Sequence, residues 1–202
     1  MNKQLIITIG REAGSGGLEI AQKLGARLGI TVYDRNIFEG IGSQFEIDDT
    51  SRLEKYDEKP AFTLFRRKLN GHCSAPEQQV VEMQCEFIKD KADNGDSFII
   101  LGRCGIKAVL DYPCVLVRIF IEADKDFKID HVMEEYCYTD RAVAIRRMLW
   151  EDNRRRSYHD QFCTGVKWGE RGSYDIVVKS NKLGIDGTVD FLEHYVRMRL
   201  GE

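Results

Sequence analysis

Two hydrophobic patterns alternate along the chain. Leu5-Ile6-Ile7-Thr8-Ile9, Ile30 to Asp34, Ser97 to Leu101, Val115 to Ala123 and Tyr174 to Val178 are short runs of aliphatic and β-branched residues, the composition of strands covered on both faces. Between them apolar residues recur at helical spacing. Ile20, Ala21, Leu24 and Leu28 form one such stripe, with Glu19, Gln22, Lys23 and Arg27 on the opposite face. Glu77 to Ala92 forms another through Val80, Val81, Gln84, Phe87, Ile88 and Lys91, leaving Gln78, Gln79 and Glu82 to face a cleft. Further helices are predicted over Asp124 to Tyr138, over Asp140 to about Tyr158 with Thr139 as cap, and from about Gly187 to the end. The inner face of the second is read as Ala142, Ile145, Met148 and Leu149, and that of the last as Val189, Leu192, Val196 and Met198 to Leu200. Strands and helices that alternate without an internal repeat predict a single α/β domain with a parallel sheet.

The first strand runs directly into Gly10-Arg11-Glu12-Ala13-Gly14-Ser15-Gly16-Gly17 and then into a helix. A glycine-rich turn at this point leaves backbone N–H groups unpaired at a helix N-terminus, where the dipole favours an anion and phosphate is the natural guest. Its plainer alternative is a tight structural turn. The strict phosphate-loop pattern is not met: with Gly16 as its second glycine, Arg11 stands at the first, Gly17 replaces the lysine, and neither Leu18 nor Glu19 offers a hydroxyl. The dinucleotide fingerprint fails as well, since its third glycine would fall on Glu19.

Composition narrows the function classes. A chain of 202 residues with 43% apolar and 31% charged residues is ordinary globular material, and its net charge of −3 gives no general attraction to nucleic acid or anionic membranes. Without a membrane-length apolar window or secretory signal, the chain reads as cytoplasmic. Six cysteines without close pairs argue against zinc and against a disulfide framework.

Charged residues at strand ends are the candidate chemistry. Asp34 closes the second strand at the ligand edge of an open α/β sheet, where it either contacts substrate or metal-bound water or caps the following helix. Arg103 follows the third strand; it suits a phosphate, with a salt bridge to an acid as its alternative. Arg146, Arg147, Arg154, Arg155 and Arg156 form a basic cluster on one helix, but the last three fan too widely to reach one phosphate, and Asp152 is placed to pair with Arg155 or Arg156. His72 reads as an exposed loop histidine, and the Trp168-bearing loop from Gln161 to Ser173 as one that closes over a site.

Taken together, Thr8 to Gly17 with Glu19-Ile20-Ala21, Tyr33-Asp34, Gly102-Arg103-Cys104, Asp152 to Tyr158, Thr164-Gly165, Lys167-Trp168-Gly169 and Tyr174-Asp175 resemble the cytidylate kinase-like branch of the P-loop nucleoside monophosphate kinases over nearly the whole chain. The resemblance implies a three-layer, parallel five-stranded sheet, a monophosphate-binding insertion at about 40–76 and a helical lid at about 150–173. It implies ATP as donor, Mg²⁺ carried by the nucleotide without a protein metal site, and a small nucleotide as substrate; a homodimer is compatible with it. Gly14, Ser15, Gly16 and Gly17 would hold the donor phosphates, Asp34 and Arg103 the acceptor, and Arg11, Arg103, Arg154 and Arg155 would act in catalysis. Gly105-Ile106 replace the branch's usual Ala-Asp. The alternatives are a nucleotide- or phosphate-binding protein without turnover, and a kinase of another small molecule.

Overall fold

The computed structural model describes residues 3–61 and 75–202. His72, Cys73 and most of the second half of the 40–76 insertion lie outside them. The strands β1 (Leu5–Arg11), β2 (Thr31–Tyr33), β3 (Phe98–Leu101), β4 (Val115–Glu122) and β5 (Ile176–Lys179) form one parallel sheet in the order β2-β3-β1-β4-β5. Thus β1 is central, and its side chains have no solvent face: Ile6 and Ile7 are wholly buried on opposite sides.

Helices α1 (Gly17–Leu28) and α8 (Ser180–Leu200) cover one face, where Ile20, Leu24, Val189, Leu192 and Val196 meet Ile7 and Ile9. The other face is covered by α2 (Ile37–Gln44), α4 (Pro76–Asp93) and α5 (Gly105–Val109), through Phe38, Ile41, Phe87 and Ile88. A short α3 (Ser51–Glu54) follows α2. Each fully buried Ile or Phe contributes roughly 1.5–3 kcal/mol relative to exposure, so these two layers set the frame and the strand ends inherit their positions from it.

Two helices depart from the layers. α6 (Lys125–Glu135) and α7 (Arg141–Phe162) lie at the carboxyl edge of the sheet, packed against the glycine turn through Ala13, Ile129, Val132, Ala144 and Met148. α7 has 22 residues and so spans about 33 Å. Its far end reaches a separate cluster in which Tyr158 and Phe162 pack with Val81, Cys104 and Ile106. Among the described residues no helix is long and apolar enough to cross a membrane.

Several local expectations are corrected. The cap of α7 is Asp140, whose carboxylate accepts from the Ala142 N–H at 2.7 Å, rather than Thr139. Its inner face is Ala144, Met148, Glu151, Tyr158 and Phe162, while Leu149 is half exposed and Ala142 exposed. α8 begins at Ser180, directly after β5, and kinks at Gly184 before the predicted start; Met198 faces solvent. Trp168 is not the tip of a closing loop, because its ring packs edge-on against Phe120 at 5.1 Å, under the guanidinium of Arg156. Gln78 bonds Glu82 along α4, and the residue that helix turns toward the carboxyl edge is the buried Gln84.

Candidate active site

At the end of β1 the backbone enters a turn shaped by glycine. Gly14 and Gly16 both take left-handed conformations (φ 74° and 73°), and Gly16 caps α1. Among the described residues, the N–H groups of Gly14, Gly16 and Gly17 donate to no protein acceptor, which leaves them open to an anion. The turn is fixed from behind. The Ser15 hydroxyl donates to the Glu12 carbonyl at 2.8 Å and the Ser15 carbonyl accepts from the Ser180 hydroxyl at 2.7 Å, so Ser15 is buried and its side chain holds the loop instead of facing a ligand. Lys128 pairs with Glu12 at 2.8 Å.

A Cβ on Gly14 would overlap the main-chain carbonyl of Lys128, in a conformation that L-residues avoid. Gly14→Ala is therefore expected to cost about 2 kcal/mol or more and to lower the melting temperature by roughly 4–8 °C. Unchanged thermal denaturation would show that the loop yields freely.

Gly17 is glycine for a different reason. A Cβ there would lie 2.6 Å from Cβ and 2.9 Å from Cγ of Arg11, so the stem of Arg11 crosses the first turn of α1 where a side chain at position 17 would begin. The residues at both ends of the unusual motif are thus coupled: Arg11 is accommodated because Gly17 has no side chain.

Three arginines from three elements converge beyond this point. Arg11 comes from the end of β1, Arg103 from the turn after β3, and Arg155 from the middle of α7. Arg103 and Cys104 are held left-handed (φ 53° and 52°) after Gly102, a strained turn that directs Arg103 inward. All three meet the carboxylates of Asp57 and Glu58. Arg11 Nη1 donates to Glu58 Oε1 at 2.7 Å, Arg155 Nε stands 3.6 Å from Glu58 Oε2, and Arg103 Nη2 donates to Asp57 Oδ2 at 2.9 Å. Arg103 Nη1 also donates to the Leu101 carbonyl at 2.9 Å. Arg155 and Arg147 both reach Glu151 on α7, at 3.2 and 2.7 Å, and Tyr136 donates to the same carboxylate.

Electrostatics follow from this crowding. Burial alone would raise the Glu58 carboxyl, but Arg11, Arg103 and Arg155 outweigh it and hold the group well below the usual carboxylate range. Asp57 is raised, because its desolvation exceeds the attraction of Arg103. Arg11 is lowered to about 10 by burial, with Glu58 opposing the shift and the neighbouring Arg155 and Arg103 adding to it.

A cleft of about 610 Å³ runs along this edge and suits a small ligand. It is lined by Arg11, Gly14, Gly16, Gly17, Asp34, Arg103, Arg154 and Arg155, which the sequence had singled out, and by Asp57, Glu58 and Glu151, which it had not. Asp34 exchanges two hydrogen bonds with Asn36, the residue that precedes α2, and lines the cleft; the cap position of α2 is Asn36 rather than Asp34. Arg154 lies over the Trp150 ring at 4.8 Å. Asp152 does not pair with Arg155 or Arg156; its carboxylate accepts from the Ala13 N–H at 2.7 Å and so takes one amide of the glycine turn. Among the described residues no group of three His, Cys, Asp or Glu side chains could hold a metal ion.

The profile of the cytidylate kinase-like family matches residues 6–182. The chain belongs to the cytidylate kinase-like family. An uncharacterized protein from Eubacterium ventriosum ATCC 27560 shares this family member's architecture at 30% identity and a TM-score of 0.71, with 96% of this chain and 98% of that one covered. Shikimate kinase from Bacteroides thetaiotaomicron aligns at 9% identity and a TM-score of 0.52 over 96% and 98% of the two chains. A sugar kinase from Janibacter sp. HTCC2649 aligns at 12% and 0.51 over 98% and 95%. Likeness at such identities concerns the fold alone. No curated protein matches the chain.

Sequence reasoning missed Asp57, Glu58 and Glu151. The first two sit in the least regular stretch, where no periodicity marks an inward side chain; Glu151 had a signal, its i, i+4 relation to both Arg147 and Arg155.

Proposed function

We propose that this family member transfers a phosphoryl group from ATP to a nucleoside monophosphate. The observation that carries the reading is the convergence of Arg11, Arg103 and Arg155 beside the open amides of the glycine turn. Phosphoryl transfer needs little covalent help; it needs alignment and positive charge around the moving group.

The amides of Gly14, Gly16 and Gly17 suit the donor phosphates, and ATP supplies the transferable phosphoryl group when bound. Arg11 takes the part of the absent loop lysine. Arg103 orients the acceptor phosphate, and Arg155, with Arg154 beside it on the segment read as a lid, faces the charge that develops during transfer. The first turn of α1 offers no hydroxyl, so an Mg²⁺ carried by the nucleotide would be held mainly by the phosphates, and Asp34 is the residue that would meet it through water.

A coupled assay with ATP, Mg²⁺ and a panel of nucleoside monophosphates tests this. Turnover above background is expected, with Arg155→Met lowering kcat by roughly 10²–10³-fold. Measurable ATP binding without turnover on any monophosphate overturns the reading. That outcome would favour a binding protein without turnover, a second reading supported by the two carboxylates, Glu58 and Asp152, already seated on the arginines and on a loop amide.

A further inference from the structure

The carboxylate of Glu58 fits its surroundings poorly, in a way that points to a different occupant. Among the described residues, only Arg11 Nη1 is well placed to donate to it, at 2.7 Å; Arg11 Nη2 is at 3.5 Å and Arg155 Nε at 3.6 Å, the latter too far for a hydrogen bond. Arg155 Nε and Nη1 and Arg103 Nε are buried and, among the described residues, have no hydrogen-bond partner. Guanidinium N–H groups buried without acceptors are costly, and three of them around one under-filled spot is an unusual concentration. Beside Glu58 lies a small chamber of about 30 Å³, which Arg11, Arg103 and Arg155 border on one side while Ile9, Ile106 and Trp168 help to close the rest.

Charge and backbone agree. The three guanidiniums Arg11, Arg103 and Arg155 face three carboxylates, Asp57, Glu58 and Glu151, so an incoming anion finds unmatched positive charge once Glu58 withdraws. Glu58 itself is held at φ 47°, a left-handed conformation that a glutamate seldom adopts, so the contact is made under local strain.

We propose that Arg11, Arg103 and Arg155 form one seat for a tetrahedral phosphoryl-type oxyanion, and that Glu58 plugs this seat until the ligand displaces it. A planar carboxylate offers two oxygens, whereas a tetrahedral oxyanion offers oxygens in divergent directions and matches three arginines that approach from β1, β3 and α7. The inference deepens the phosphotransferase reading and rests on it for the identity of the ligand: the seat lies where the group in transfer would sit.

The test is calorimetric titration of the full chain with inorganic phosphate, needing neither ATP nor turnover. Wild type is expected to bind weakly and Glu58→Gln roughly 10- to 100-fold more tightly, the range of a typical coupling between competing occupants. Sulfate should follow phosphate, and planar nitrate should gain much less. Adding Arg155→Met to Glu58→Gln should remove most of the gain. A folded Glu58→Gln chain that binds phosphate no better than wild type overturns the plug. Should that variant fail to fold, Glu58→Asp decides, since its charge is kept but its reach shortened: affinity above wild type upholds the plug, and affinity at or below wild type rejects it. Tighter phosphate binding with no turnover on any monophosphate keeps the seat and rejects the kinase; turnover without the gain does the opposite.

Discussion

Arg11→Met is expected to destabilise the protein by about 3–5 kcal/mol, the usual cost of stripping one partner from a buried ion pair. Both side chains are nearly inaccessible, at 12% and 6% exposure, so solvent screening offers little relief. Glu58 would keep its charge while losing its one short hydrogen bond. For a chain of this size the melting temperature should fall by roughly 6–20 °C. The informative step is the second substitution. Arg11→Met with Glu58→Gln replaces an uncompensated carboxylate by a neutral amide and should recover most of the stability, while activity should stay low because the loop still lacks a cation. Additive losses in the double variant would mean that the two residues act independently, contrary to the ion pair described here.

Gly17→Lys should abolish activity instead of improving it. The substitution restores the residue that phosphate loops ordinarily carry, and on sequence grounds it resembles a repair. Yet its Cβ would fall 2.6 Å from Cβ of Arg11, and that atom, one bond from the backbone of the central strand, has little room to retreat. Overpacking of this kind costs about 1–3 kcal/mol and displaces Arg11 from Glu58. A fall in kcat/KM of at least about 100-fold is expected, against a partial return in the paired variant Arg11→Ala with Gly17→Lys, which removes the collision and keeps one positive charge. A single lysine variant more active than wild type would show that Arg11 and Gly17 are unrelated.

These two residues illustrate how far the sequence was legible. The strand, glycine turn and helix were readable because buried strands and helix stripes leave composition and period behind, and the place of Arg11, Arg103 and Asp34 along one cleft was readable because the carboxyl ends of parallel strands share one edge of the sheet. The dependence of Gly17 on Arg11 was not, since it arises only when a strand end folds back across a helix start. α7 misled for a definite reason. Met148, Glu151, Arg155, Tyr158 and Phe162 follow one helical stripe, but charged residues occupy its middle, so a search for apolar period shifted the inner face toward Leu149. Glu58 was invisible because a buried acid in an irregular segment looks like any surface acid until its partners arrive from β1 and α7.

α7 is anchored at both ends in separate apolar clusters, and its charged stretch between them is held by polar contacts, Asp152 to Ala13 and Arg155 to Glu58. Such a helix behaves as a beam across a gap. Arg155 and Asp152 lie within one turn of each other on it, so the contact with Glu58 and the contact with Ala13 share one rigid support. The arginine cluster and the glycine turn are thus joined through a single helix, and a substitution that shifts α7 is expected to be felt at both.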